Sequence, residues 1–187
     1  AASVAGSLVV ATRITARKAL AAKRVTVAPS IRARAFRGAS QIVMVSRVEK
    51  SDAEWSKELD KTSFQVLRKK GTEPAGTGEY DKFYPTEGHF VCKGCGNPLY
   101  SAESKFNSGC GWPAFDKCYK GALITETDMT FGMKRVEIMC AACDGHLGHV
   151  FENEGFTPTM ERHCVNSVSV KYVEGAPETP LEEEKVV

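Results

Sequence analysis

Val136-Glu137-Ile138-Met139-Cys140-Ala141-Ala142-Cys143 is a brief β-like run ending in a Cys-x-x-Cys turn, and its reading decides the fold. His89-Phe90-Val91-Cys92 runs in the same way into Cys95, and each pair has a leucine four residues beyond its second cysteine, Leu99 and Leu147. A Cys-x-x-Cys turn aims both sulfurs at one point, so two such turns supply the four ligands of a tetrahedral structural zinc, Cys92, Cys95, Cys140 and Cys143. The 44 residues between Cys95 and Cys140 exceed the gap of a simple ribbon, so further strands must thread between the two halves. A closed four-thiolate site leaves no open position for a substrate and would support the fold rather than the chemistry. A redox-active pair, two disulfides, or iron in place of zinc are the competing readings. Redox pairs belong to a βαβ setting, and the sequence carries no parallel-sheet pattern.

Outward from these runs, short strands and turns dominate from Tyr80 onward. Phe151 and the stretch from Val165 to Val173 are expected to complete a mainly antiparallel set. Helices are confined to the front. Ser51-Asp52-Ala53-Glu54 reads as a capping box, with Trp55 and Leu59 four residues apart on one helical face. A second short helix should carry Phe64 and Leu67 and stop at Gly71, after Arg68, Lys69 and Lys70, whose charges suit a helix C-terminus. The class is β-rich α+β, over residues 49–174. The tail, 175–187, holds Pro177, Pro180 and three consecutive glutamates, and is expected to be acidic, solvated and mobile.

Charge divides the chain. Residues 1–48 hold nine of the 25 basic residues and none of the 23 acidic ones, so the remainder carries 16 against 23, a net of −7. An acidic body argues against nucleic-acid binding, which relies on cations neutralising phosphates. The Ala, Val, Ser and Arg composition of 1–48 is that of an organelle transit peptide; its Ser, Ala and Val richness favours a plastid (chloroplast stroma), with the mitochondrion as the alternative. No apolar run approaches the roughly 18 residues of a membrane span. Seven cysteines leave at least one unpaired in any disulfide scaffold, so metal binding and catalysis are the better expectations.

Arg162-His163-Cys164-Val165-Asn166 carries the chemistry. If the segment is extended, Arg162, Cys164, Asn166, Val168 and Val170 share one face, which sets a thiol between a cation and an amide. A neighbouring guanidinium favours the thiolate, the nucleophilic form. A buried structural cysteine is the bland alternative. Cys110, in Ser108-Gly109-Cys110-Gly111-Trp112-Pro113, lies on a glycine-flanked loop that can move, as a resolving thiol must. His146 and His149, among glycines in a chain with four histidines, are candidates for acid–base work.

Taken together, Gly71-Thr72-Glu73, the two Cys-x-x-Cys pairs, Lys105-Phe106, the Cys110 loop, His146-Leu147-Gly148-His149-Val150-Phe151 and Arg162-His163-Cys164-Val165-Asn166-Ser167 resemble the B-type peptide-methionine sulfoxide reductases, with the plant and algal organelle forms the nearest in look. The resemblance, which runs from about residue 55 to 173, implies two packed antiparallel sheets, sandwich or barrel-like, with zinc between the knuckles. It also implies a thiol-dependent oxidoreductase in which Cys164 attacks the R epimer of methionine sulfoxide and becomes a sulfenic acid. His149 and His146 would donate or position protons, Asn166 would hydrogen-bond nearby, Arg162 would hold the thiolate, and Trp112 would pack on the ε-methyl group. Cys110 would then form a disulfide with Cys164, recycled by thioredoxin, in the repair of oxidised proteins; the chain is expected to act as a monomer. No role is implied for Cys118, read as an inert buried thiol, with an alternative resolving thiol as the other reading. A zinc-ribbon binding module, or a thiol redox sensor without turnover, are the readings from other classes.

Overall fold

Ser51 opens helix α1 (Asp52–Glu58) with the expected reciprocal capping: its hydroxyl accepts from the Glu54 N–H at 3.4 Å, and the Glu54 carboxylate accepts from the Ser51 N–H at 2.8 Å. Helix α2 (Lys61–Lys69) starts at Asp60, which accepts from the Ser63 N–H at 2.9 Å. It ends one residue before the position expected. The left-handed residue is Lys70, with φ 54°, and the Lys70 and Gly71 N–H groups both reach Gln65 O. Gly71 is needed for space: a Cβ there would sit 3.0 Å from Gln65 O. Trp55, Val66 and Leu67 are the buried side of this front.

The computed structural model describes residues 46–129, 132 and 134–187; the expected leader, up to residue 45, lies outside the described residues. Arg47 and Val48, counted with the leader, instead join the body. Val48 N–H bonds Ala142 O at 2.7 Å, and Arg47 holds Asp144.

Among the described residues the strands are β1 (His89–Cys92), β2 (Pro98–Ser101), β3 (Lys105–Phe106), β4 (Ala114–Phe115), β5 (Cys118–Tyr119), β6 (Leu123–Asp128), β7 (Arg135–Cys140), β8 (His146–Glu152), β9 (Glu161–Val165), β10 (Val170–Val173) and β11 (Glu183–Glu184). All pairs are antiparallel. They form a six-stranded sheet, β3-β4-β9-β8-β7-β6, a three-stranded sheet, β10-β1-β2, and the small pair β11-β5. The β-rich α+β class therefore holds. Phe90, Leu99, Tyr100, Phe115, Ile138 and Val165 are fully buried in one core, where the Tyr100 and Phe115 rings stack at 4.1 Å.

Two expectations fail, each for a local reason. Val165 to Val173 is not one extended run: β9 stops at Val165, a 3-10 turn (Ser167–Ser169) follows, and β10 joins the other sheet. Val168 and Val170 thus leave the row that Arg162 and Cys164 share. The cause is Glu73, whose carboxylate draws the Ser167 and Val168 N–H groups at 2.6 and 3.2 Å. The tail is not a mobile end either. β11 pairs with β5, and the Val186 and Val187 N–H groups bond the carboxylate of buried Glu161 at 2.9 and 3.1 Å. A carboxylate at 2 % exposure needs donors, and the tail provides two.

Candidate metal centre and active site

The two Cys-x-x-Cys turns are local copies of each other. Gly96 N–H bonds Cys92 O and Asp144 N–H bonds Cys140 O, while the first cysteine's N–H bonds Asn97 O in one turn and Gly145 O in the other. Each turn needs a left-handed residue; Gly96 fills it in one and Asp144 in the other, with φ 77° and 56°. The β1–β2 and β7–β8 connections bring them together. The sulfurs of Cys92, Cys95, Cys140 and Cys143 all lie within 4.8 Å of one another, with Cys92–Cys143 at 3.7 Å and Cys95–Cys140 at 3.6 Å. Four thiolates about 2.3 Å from a tetrahedral zinc stand about 3.8 Å apart, so this donor set fits a metal ion.

The second site lies on the open face of the six-stranded sheet. Register aligns one residue per strand: Ala114 faces Cys164, Cys164 faces His149, His149 faces Glu137, and Glu137 faces Glu126. Cross-strand partners share a face, so Cys164, His149 and Glu137 form one row. His146 and His149 are three residues apart, which in a regular strand would send them to opposite faces. A bulge between the Ile138–Gly148 and Met139–His146 pairs absorbs Leu147 and returns His146 to the row. The two rings meet edge to face at 5.6 Å. Leu147 turns into the core. Gly148 is dictated by contact: a Cβ there would stand 1.9 Å from Cys164 O.

A cavity of about 130 Å³ opens against this row, lined by Thr72, Trp112, His149, Phe151, Cys164 and Asn166, with Gly148 and Arg135 completing it. A larger groove of about 630 Å³ adjoins it, shares Thr72, Arg135 and His149, and adds Lys70, Asp128, Glu137 and His146. The small cavity holds Cys164 and not Cys110. The Cys110 sulfur approaches from the side, 3.6 Å from that of Cys164. The hydrogen bond between the two sulfurs is the first cause of both shifts: Cys110 is lowered, to about 5, and Cys164, with burial as the next cause, is raised well above the ordinary thiol value. Arg162 pulls Cys164 downward but by less, because its guanidinium grips the Glu154 carboxylate and lies over the Phe151 ring at 4.4 Å.

Each remaining side chain has a holder. His149 Nε2 meets Asp128 Oδ2 at 2.8 Å, and Arg135 bonds the same oxygen at 2.7 Å. His146 Nδ1 meets Glu137 Oε1 at 2.6 Å, and burial lowers its pKa. Asn166 is buried with both ends of its amide on backbone: Nδ2 donates to Leu147 O and Oδ1 accepts from the Glu73 N–H, each at 2.9 Å. Trp112 Nε1 donates to Glu73 O at 3.0 Å. Glu73 therefore braces Trp112, Asn166 and the turn after β9 at once. Cys118 is buried away from this site and pushed up to about 12 by that burial.

Sequence reasoning named Cys164, Cys110, Trp112, the histidines, Arg162 and Asn166, and all of them converge here. It passed over Glu73, Asp128, Glu137, Arg135 and Glu154, which are ordinary charged residues in sequence. Glu73 stood inside a quoted motif, and that was the one available signal. Lys70, whose place in the sequence suits a helix-end charge, extends its ammonium to Glu137 at 2.8 Å and Glu126 at 3.7 Å.

Residues 59–174 match the SelR domain model. The chain is 54% identical over 135 residues to peptide methionine sulfoxide reductase B3, chloroplastic, of Oryza sativa subsp. japonica, covering 72% of this chain and 58% of that relative. It is 59% identical over 125 residues to peptide methionine sulfoxide reductase B5 of the same species, covering 66% of this chain and 90% of the relative. It is 52% identical over 157 residues to peptide methionine sulfoxide reductase B2, chloroplastic, of Arabidopsis thaliana, covering 81% and 74%. With residues 59–174 matched by the family model and these relatives all above 50% identity, this chain belongs to the SelR family, the B-type peptide methionine sulfoxide reductases.

Proposed function

We propose that the protein reduces the R epimer of methionine sulfoxide, free or within oxidised proteins, by chemistry at Cys164 and Cys110. The observation that carries this is the 130 Å³ cavity, sized for a methionine side chain, which ends on Cys164 with Cys110 beside it and outside it. Trp112 and Phe151 offer the apolar wall an ε-methyl group needs. As the Cys164 sulfur attacks the sulfoxide, its proton passes to Cys110, and Arg162 supports the charge then carried by Cys164. His149 donates a proton to the sulfoxide oxygen, so the products are methionine and a sulfenic acid on Cys164. The Cys110 thiol next attacks that sulfenic acid, forming the disulfide and releasing water. A dithiol protein, thioredoxin, returns both cysteines to thiols. Cys92, Cys95, Cys140 and Cys143 would hold a structural zinc that staples the β1–β2 and β7–β8 turns; no step passes through it.

The site is complete within one chain, consistent with a monomer. The basic, acid-free 1–48 segment and the chloroplastic names of two relatives support a plastid address. The test uses separated epimers. Cys164→Ser should abolish dithiothreitol-driven reduction of the R sulfoxide, leaving the S epimer untouched by either protein. Cys110→Ser should keep the dithiothreitol reaction, because the first cause that raises Cys164 is removed with it, and should lose most thioredoxin-driven turnover. Activity in Cys164→Ser would end this reading.

A further inference from the structure

Two residues outside the proposed chemistry are linked to the histidine pair, Glu137 directly and Lys70 through Glu137. Glu137, at 5 % exposure, places one carboxylate oxygen 2.6 Å from His146 Nδ1 and the other 2.8 Å from Lys70 Nζ. Lys70 comes from the far end of another element, the left-handed cap of α2, which turns the chain there toward β7. The structural reading of this bond is a clamp between α2 and the sheet. It explains the distance spanned, but not why the carboxylate's second oxygen lies on a ring that itself touches His149.

We infer that Lys70 and Glu137 are positioning residues for the reaction: they fix His146 as the neutral, Nδ1-protonated imidazole, so that the positive charge of the histidine pair falls on His149, which lines the cavity. The inference rests on the proposed reduction of methionine sulfoxide. Its chemistry is direct. A carboxylate accepts only, so the His146 nitrogen facing Glu137 carries hydrogen, which sets the tautomer. An unpartnered buried carboxylate would draw a second proton onto that ring; Lys70 neutralises much of this pull by occupying Oε2. Two imidazolium rings 5.6 Å apart repel, so a neutral His146 leaves the charge to the ring nearer the sulfur. The charged groups around His146 come from three strands and α2: Glu126 and Asp128 on β6, Arg135 and Glu137 on β7, His149 on β8, and Lys70. Asp128 Oδ2 is shared by Arg135 and His149, which leaves Glu137 as the carboxylate that bonds His146. Burial of His146 acts in the same direction, disfavouring its charged form.

The test reads the ring itself. Nitrogen-15 spectra of the zinc-loaded enzyme should show His146 as the Nδ1–H tautomer, and Glu137→Gln should convert it to a mixture or to Nε2–H. Lys70→Met, which alters an exposed side chain and spares the core, should raise the pH midpoint of His146, and Lys70→Arg should restore it. With R-sulfoxide and dithiothreitol, kcat should fall about tenfold in Glu137→Gln and Lys70→Met with KM little changed, the scale of lost support to a working side chain. An unchanged His146 tautomer and midpoint in both variants would overturn the inference, whatever happens to melting temperature. A wild-type enzyme inert toward R-sulfoxide would instead overturn the proposed function, and the spectra would still judge the tautomer.

Discussion

Gly148→Ala is the sharpest perturbation of the sheet that carries the site. The added Cβ would stand 1.9 Å from the carbonyl oxygen of Cys164, where side-chain carbons essentially never come within 3.0 Å of another atom. The two backbones must therefore part by at least the difference, 1.1 Å (3.0 − 1.9), and neither neighbour is a flexible side-chain tip that can swing aside. Gly148 faces Val165, and the next pair along is His149 with Cys164, so the separation opens between the proposed acid and the proposed nucleophile. Overpacking of this kind costs about 1–3 kcal/mol. Misplacing reacting groups by about 1 Å costs on the order of 10²-fold in rate. Urea unfolding of the zinc-loaded protein should show the free energy of unfolding falling by that amount at constant m, and dithiothreitol-driven R-sulfoxide reduction should drop about a hundredfold. A variant within about 0.5 kcal/mol of the parent in stability, and within about twofold in rate, would refute the claim that this contact sets the strand spacing.

Cysteine labelling tests the charge assignment. Cys110 has its pKa depressed to about 5 from an ordinary 9.0, so between those values it is the thiolate and should react with iodoacetamide ahead of Cys164. Below about 5 the preference should vanish as Cys110 takes up its proton; faster labelling of Cys164 at neutral pH would reverse the assignment. Deleting residues 183–187 removes two N–H donors from the buried Glu161 carboxylate and should lower stability by about 1–3 kcal/mol, a loss that Glu161→Gln in the truncated chain partly relieves. An unchanged melting temperature on truncation would show that β11 and the last residues contribute nothing. Chelation of the metal should unfold the β1–β2 and β7–β8 turns cooperatively, because binding free energy at such a site is folding free energy. Retention of native near-ultraviolet dichroism after complete zinc removal would show that the core alone suffices.

Short-range rules made much of the molecule legible from its sequence alone. The capping box at Ser51 and the two strand-plus-knuckle runs each depend on neighbours within a few residues, and each occurs as read, while the extended reading from Arg162 holds only as far as Val165. The cluster of four sulfurs was legible for the same reason, since each turn aims its own pair. The site cysteines and histidines could be named because their side chains have few other uses.

Tertiary structure alone decided how they are arranged. The bulge at Leu147 puts both histidines on one face, although spacing alone would separate them. Glu73 pulls the backbone after β9 into a turn and ends the row that alternation extended to Val170. Buried Glu161 draws in a tail whose composition suggested a mobile end. Lys70 looked like a helix-end charge until the fold set Glu137 beside it. In the last three cases the deciding group is a carboxylate whose partner lies far away in sequence. A buried polar group must find a partner, but composition and periodicity do not say which one.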